Sequence, residues 1–266
     1  MRGNLMNMNM QNLNNAKGKT ILRFVLCVLP IAIIGGYFTG IYILEHSTSE
    51  VTAQILAQIK SPTALYMLTT LQSMIYTIIA SVAGYFLADR IGLLKPFAFK
   101  KDILKKTVPV IILFGILFTA DYFVIGPFIP EVAADYERGI SAAYFIASLT
   151  YGGVVEEILM RWFLMSLLAW ILVLIFARKT EKTELPDWIF IAANITAALL
   201  FAAGHLPATM AFFGRISPLI LVRCFVLNGG FALIFGRFYR KYGIQYAMLA
   251  HFGLHLISKL ILLAVI

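Results

Sequence analysis

The sequence predicts an all-α fold: a polytopic transmembrane helical bundle of seven or eight membrane segments. Three observations carry this. Of 266 residues, 61% are hydrophobic and 13% charged, against about 45–50% and about 25% in a soluble domain. The mean hydropathy is +0.86. Charges gather in short stretches between apolar runs of about 20 residues or more, the length a helix needs to cross the hydrocarbon core. There is no series of short alternating segments of the kind that builds a membrane barrel, so the spans read as helices.

Taken in order, residues 1–20 are polar, rich in Asn and Met and without periodicity, and are expected to be a disordered cytoplasmic tail. The first apolar run is longer than a signal-peptide core and has no clear small-residue cleavage site, so it reads as a retained helix. The spans expected are Ile21–Leu44, Ser61–Ala88, Thr107–Phe128, Ser141–Ala177, Trp188–Gly214, Ile216–Gly236 and Gln245–Ile266. Residues 21–266 form one bundle, with no room for a separate soluble domain. Lys and Arg collect in the N-terminus, in 89–106 and in 237–241, whereas 45–60 and 130–139 are acidic on balance. The positive-inside rule then places the N-terminus and the two basic loops in the cytoplasm of a multi-pass cell-membrane protein.

Two spans are irregular. As one helix, Ser141–Ala177 would run about 55 Å at about 1.5 Å per residue, well beyond a hydrocarbon core of about 30 Å. Gly152-Gly153 is a natural break there, and Pro207 interrupts the next span. Broken helices at membrane depth belong beside a cavity, and both irregularities flank polar residues.

The net charge of +9 is absorbed by the cytoplasmic loops. With no Gly-rich phosphate loop and no basic helix bearing stacking aromatics, no nucleic-acid partner is expected; the lipid bilayer is. Cys27 and Cys224 both lie in apolar spans and form no CxxC pair, so neither a disulfide framework nor a thiolate zinc site is indicated.

The chemistry sits in three motifs. Glu156, Glu157 and Arg161 are the only charges between Ser141 and Ala177. Each costs about 2.5–3.5 kcal/mol to insert, which makes such a cluster a candidate site. Glu157 and Arg161, four apart, share a face and can pair. Glu156 lies about 100° around the helix and is left free to react. Phe201 and His205 share a face beside the small residues Ala202, Ala203 and Gly204, and His251 and His255 form a second pair four apart. Only one of the four histidines, His46, lies in a loop. Together Glu156, His205, His251 and His255 read as a hydrolytic site. The carboxylate activates water, one histidine helps hold it, and the others donate to an oxyanion. The same four could instead hold zinc through three imidazoles and a carboxylate, although HExxH is absent because Phe252 follows His251. Three further charges fall within spans. Asp121 and Lys259 lie toward span ends, where snorkelling to the interface is expected. Arg223 is deeper, with no legible partner.

The order Glu156-Glu157-x-x-x-Arg161, Phe201-x-x-x-His205 and His251-x-x-x-His255 resembles the CPBP family of CAAX proteases and bacteriocin-processing proteins. The run from Gly230 through Gly236, Tyr239-Arg240-Lys241, Gly243 and Ala250 to His255 is similar too, and the likeness covers about residues 141–258. It implies an intramembrane, glutamate-dependent endopeptidase with no cofactor, acting on a membrane-associated peptide or protein. On that reading Glu156 activates water, His205 positions it, and His251 and His255 meet the oxyanion, with Glu157, Arg161 and Phe201 in support. Asparagine is common in the family where this chain has His255, which keeps the zinc-dependent alternative in view. A non-catalytic immunity factor or scaffold is a further alternative. A proton-coupled transporter would call for internal repeats, which the sequence does not display.

Overall fold

The computed structural model describes the backbone of residues 2–266 and side chains from residue 15 onward. Among the described residues the chain is helical throughout, without strands. The elements are α1 (Arg2–His46), α2 (Ser49–Ile59), α3 (Pro62–Arg90), α4 (Lys101–Val124), α5 (Pro130–Glu137) and α6 (Ala142–Ala147). α6 passes through π-wound backbone, Ser148–Glu156 and Ile158–Met165, into α7 (Ser166–Phe176). Then come α8 (Asp187–Gly204), α9 (Leu206–Phe213), α10 (Pro218–Cys224), a π-wound Phe225–Gly230, α11 (Phe231–Tyr242) and α12 (Ile244–Val265).

Seven stretches are long and apolar enough to span a bilayer: Asn15–His46, Pro62–Arg90, Lys101–Phe128, Ala142–Phe176, Asp187–Phe213, Pro218–Tyr242 and Ile244–Val265. The chain is therefore a multi-pass membrane protein. The seven agree with the spans read from sequence, and no eighth occurs among the described residues. Leu71, Ile79, Leu113, Leu200 and Leu263 are exposed around the bundle, as lipid-facing side chains must be when the surrounding solvent is apolar.

Residues 15–20, expected to be disordered, are helical turns of α1. They are held by Lys17, which pairs with Asp89 at 2.7 Å, and by the Thr20 hydroxyl, which donates to the Ala16 carbonyl. The earlier part of that expected tail lies outside the residues described with side chains. α2 is a short helix with no buried residue, capped where the Thr48 side chain accepts from the Val51 N–H, and it ends on Lys60 at φ 64°. It links two spans at their ends and is not a span itself.

The expected break at Gly152-Gly153 does not occur: Ala142–Phe176 is continuous helix. The glycines serve another purpose. A methyl group at Gly153 would lie 2.8 Å from the Phe252 Cα of α12, so the missing side chain lets two backbones touch, as small residues do where membrane helices pack. Gly35 and Gly36 do the same for α1. A Cβ would meet the Tyr151 backbone nitrogen at 2.8 Å on one side and Ser73 of α3 at 2.7 Å on the other. The irregularity takes the form of π winding instead, a feature frequent at functional sites. The interruption expected at Pro207 is real: α8 ends at Gly204, His205 stands in the turn, and α9 begins at Leu206.

The core runs through the contact of α3, α7, α8, α11 and α12. Tyr239 and Tyr246 are fully buried there. Tyr239 exchanges a hydrogen bond with Ser166 at 2.7 Å. The Trp162 indole donates to the Ser81 carbonyl at 3.1 Å.

Gly153→Val should lower the melting temperature of the detergent-solubilised protein, because its methyls meet Phe252 backbone that cannot yield; overpacking of this kind costs about 1–3 kcal/mol. Gly230→Ala, where an added methyl meets nothing within 4 Å, should leave it unchanged. Equal effects of the two substitutions would show that the close approach at Gly153 is not a constraint.

Candidate active site

The π-wound run, the α8–α9 turn and α12 bring the sequence-predicted residues to one place. Glu156, His205, His251 and His255 all line a cavity of about 440 Å³, within the range of about 300–1,000 Å³ usual for ligand sites. They come from three separate spans, so the clustering is a product of packing.

The two adjacent glutamates face different surroundings. Glu157 has no exposed side-chain area; its Oε1 lies 3.1 Å from Arg161 Nη1, whose side chain is equally enclosed. That contact is an ion pair by distance without the direction of a hydrogen bond, since both terminal nitrogens of Arg161 lack hydrogen-bond partners. The guanidinium is held by ring faces as well. Its Cζ sits 4.7 Å from the Phe201 centroid and 5.5 Å from that of Phe235, an arrangement that favours a planar, weakly hydrated cation. Phe201 thus packs at the site as expected, and Phe235 joins it.

Glu156 is partly open to the cavity, and its Oε1 stands 3.9 Å from His205 Nε2. His205 Nδ1 lies 2.8 Å from the Phe201 carbonyl. A carbonyl only accepts, so Nδ1 carries the proton and Nε2 faces Glu156. The ring stands edge-on to Phe201 with centroids 4.5 Å apart. The turn that ends α8 is what turns His205 inward, since Pro207 follows in the first turn of α9.

His251 does not bond to Glu156. Its Nδ1 donates to Glu157 Oε1 at 2.8 Å, and its ring stacks on Phe235 at 4.6 Å. Its Nε2 faces His255 Nε2 at 3.1 Å. Gly152 makes room opposite: a methyl there would lie 3.3 Å from His255 Nε2 and 4.0 Å from Glu156 Oε2. Among the described residues no group of three or more His, Cys, Asp and Glu side chains is arranged to hold a metal ion.

Sequence reading misplaced Asp121 and Lys259, left Arg223 without a partner and missed Tyr136. Asp121 does not snorkel: it is 3% exposed, and Arg223 Nε donates to both its oxygens at 3.0 Å. Tyr136 donates to the same carboxylate at 2.7 Å. Burial first, and the Asp121 charge after it, push the Tyr136 phenol far above its usual range, so this hydroxyl stays a donor at any physiological pH. Lys259 is buried too, at 1% exposure. Side-chain partners one span away decide these cases, and a single sequence does not reveal which helix faces which. Arg223 also lines the cavity, with Asp135, Tyr42 and Tyr144, which extends the pocket from the glutamate–histidine cluster to a second polar region.

Asp121→Asn leaves Arg223 a largely buried, unpaired charge and should destabilise the protein by about 3–5 kcal/mol, the usual cost of breaking a buried pair from one side. Adding Arg223→Met should recover most of that loss in thermal unfolding. Absence of recovery would mean that the two side chains do not act as a pair.

No curated protein and no solved structure matches the chain. A family model does match: residues 138–257 fit the model described as type II CAAX prenyl endopeptidase Rce1-like, a stretch that begins just before α6, ends in α12 and contains every motif of the cluster. Through this region the chain is similar to the CAAX-type endopeptidases of the CPBP family.

Proposed function

We propose that the chain is a glutamate-dependent intramembrane endopeptidase that hydrolyses a peptide bond of a membrane-associated substrate with water activated by Glu156. The observation that carries this reading is the convergence of Glu156, His205, His251 and His255, from three spans, on one cavity. Glu156 Oε1 and His205 Nε2 are 3.9 Å apart, too far for a direct hydrogen bond and a span that a single water can bridge by bonding to both. A carboxylate and an imidazole so placed meet the requirement that a general base reach its proton directly or through one water.

In the proposed reaction the water oxygen attacks the scissile carbonyl carbon while Glu156 takes a proton from it. The carbonyl π electrons move to oxygen, and that oxyanion is met by the one N–H that the His251–His255 pair can present to the cavity, where a poorly hydrated site makes such a bond count. The C–N bond then breaks as the proton held by Glu156 passes to the leaving amine. Glu157 and Arg161 do not touch the reacting atoms; their part is to hold His251. The peptide would enter from the bilayer or its cytoplasmic face, following the expected orientation with the basic N-terminus, 89–106 and 237–241 inside. The second polar region at Arg223 and Asp135 offers binding surface beyond the reacting atoms.

Glu156→Gln should reduce cleavage of a prenylated CAAX peptide in detergent or liposomes by about 10²–10⁴-fold, the usual worth of a general base, with unchanged thermal unfolding. Full cleavage by that variant would sink the mechanism. On this reading no metal is needed, so activity should persist after exhaustive dialysis against a chelator. Loss under chelation, restored by added zinc, would move the mechanism to the metal-dependent alternative.

A further inference from the structure

Lys259 has no part in the reaction as written, and nothing in its sequence surroundings explains its burial. It lies on α12 one turn beyond His255, with 1% of its surface exposed. A buried ammonium costs several kcal/mol unless it is paired. Yet Lys259 takes part in none of the ion pairs among the described residues. Its partners are two. Nζ lies 3.3 Å from His255 Nδ1 and 4.2 Å from the centroid of the Tyr144 ring.

These contacts complete a chain of four side chains: Lys259 to His255, His255 to His251 at 3.1 Å between the Nε2 atoms, and His251 to Glu157 at 2.8 Å. Its two ends fix its direction. The Lys259 nitrogen can donate to His255 Nδ1, which leaves the proton of the neutral ring on Nε2. An ionised carboxylate accepts and cannot donate, so His251 carries its proton on Nδ1 and offers a bare Nε2. The two Nε2 atoms then meet as donor and acceptor. Run the other way, the chain would ask the Glu157 carboxylate, beside Arg161, to donate.

We propose that Lys259 is a positioning residue that holds His255 in its Nε2–H tautomer, so that of the two histidines His255 presents the proton beside Gly152 and Glu156. His251, its proton committed to Glu157, accepts. A histidine at 255 is a donor toward the cavity only in this tautomer, whereas the asparagine common in the family needs no such control. The lysine is thus the partner that a histidine at this position requires. When an oxyanion forms, the His255 Nε2–H can turn to it from His251, with the Lys259 nitrogen behind the ring. This last step rests on the endopeptidase reading; the tautomer does not.

The test is nitrogen-15 NMR of full-length protein in micelles with ring-labelled histidine, resonances assigned by single His→Gln variants. In the wild type, His255 should show an unprotonated Nδ1 and a protonated Nε2. Lys259→Met should lose that pattern and Lys259→Arg should restore it, with melting temperatures confirming that both variants fold. A wild-type His255 protonated at Nδ1 overturns the proposal whether or not any variant folds. So does an unaltered His255 pattern in a folded Lys259→Met protein. With the prenylated CAAX peptide, Lys259→Met should lower kcat with little change in KM, by up to about 10²-fold, the lower end of the about 10²–10³ lost with an oxyanion donor. A shifted tautomer with unchanged kcat would overturn the positioning role and leave the peptidase intact. If even the wild type does not cleave, the peptidase reading fails, and the spectra still decide the tautomer.

Discussion

The fully enclosed carboxylate of Glu157, set against Arg161, is the constraint on which the site depends. Removing such a charge from water costs several kcal/mol, and the cost is offset only by close partners. Glu157 has two, Arg161 from its own helix and His251 from α12. Because the His251 bond is between spans, it sets the register of α12 against the π-wound run. A slip of either helix would leave the carboxylate buried with one partner fewer. Gly152 and Gly153 allow the approach that this bond needs, and Phe201 and Phe235 close over the guanidinium. His255 and Lys259, one and two turns further along α12, take their places as a consequence.

Held in this way, two neighbouring glutamates acquire different characters. Glu157 spends its charge on structure. Glu156, one residue earlier and turned to the cavity, has among the described residues only His205 within ion-pair range. The proposed chemistry uses this division: a reactive carboxylate needs freedom and access, and the adjacent one supplies the fixed geometry around it. The same economy of charge recurs at the far end of the cavity. There Asp121 is neutralised by Arg223 and hydrogen-bonded by Tyr136, so that a second polar region survives within an apolar bundle. Buried charges in this protein are met by rings and partners from other helices and not by their own helix alone.

The sequence made some of this legible and hid the rest for definite reasons. Helical spacing separates Glu157, with Arg161 four residues on, from Glu156, because both members of the pair lie on one helix. Pro207 marks the helix interruption that turns His205 inward. Gly152-Gly153 was ambiguous, since the absence of a Cβ serves a break and a close approach equally well, and the structure uses the latter. Asp121 and Lys259 looked like interfacial residues because distance from a span end is visible in sequence, whereas the face that a helix turns to its neighbours is not. His251 lines the same cavity as Glu156, but its bond goes to Glu157, a partner on another span that sequence does not reveal.

What the sequence determined by itself is therefore everything that depends on local order and composition. This covers the all-helical membrane bundle, its seven spans, the three motifs and the internal pairing of Glu157 with Arg161. Tertiary structure alone decided which nitrogen of each histidine meets which partner, that Arg223 answers Asp121, and that Lys259 lies buried behind His255. The physical reason is that a charge in an apolar bundle is satisfied at contact distance, and contact between spans depends on the register and rotation of helices far apart in the chain.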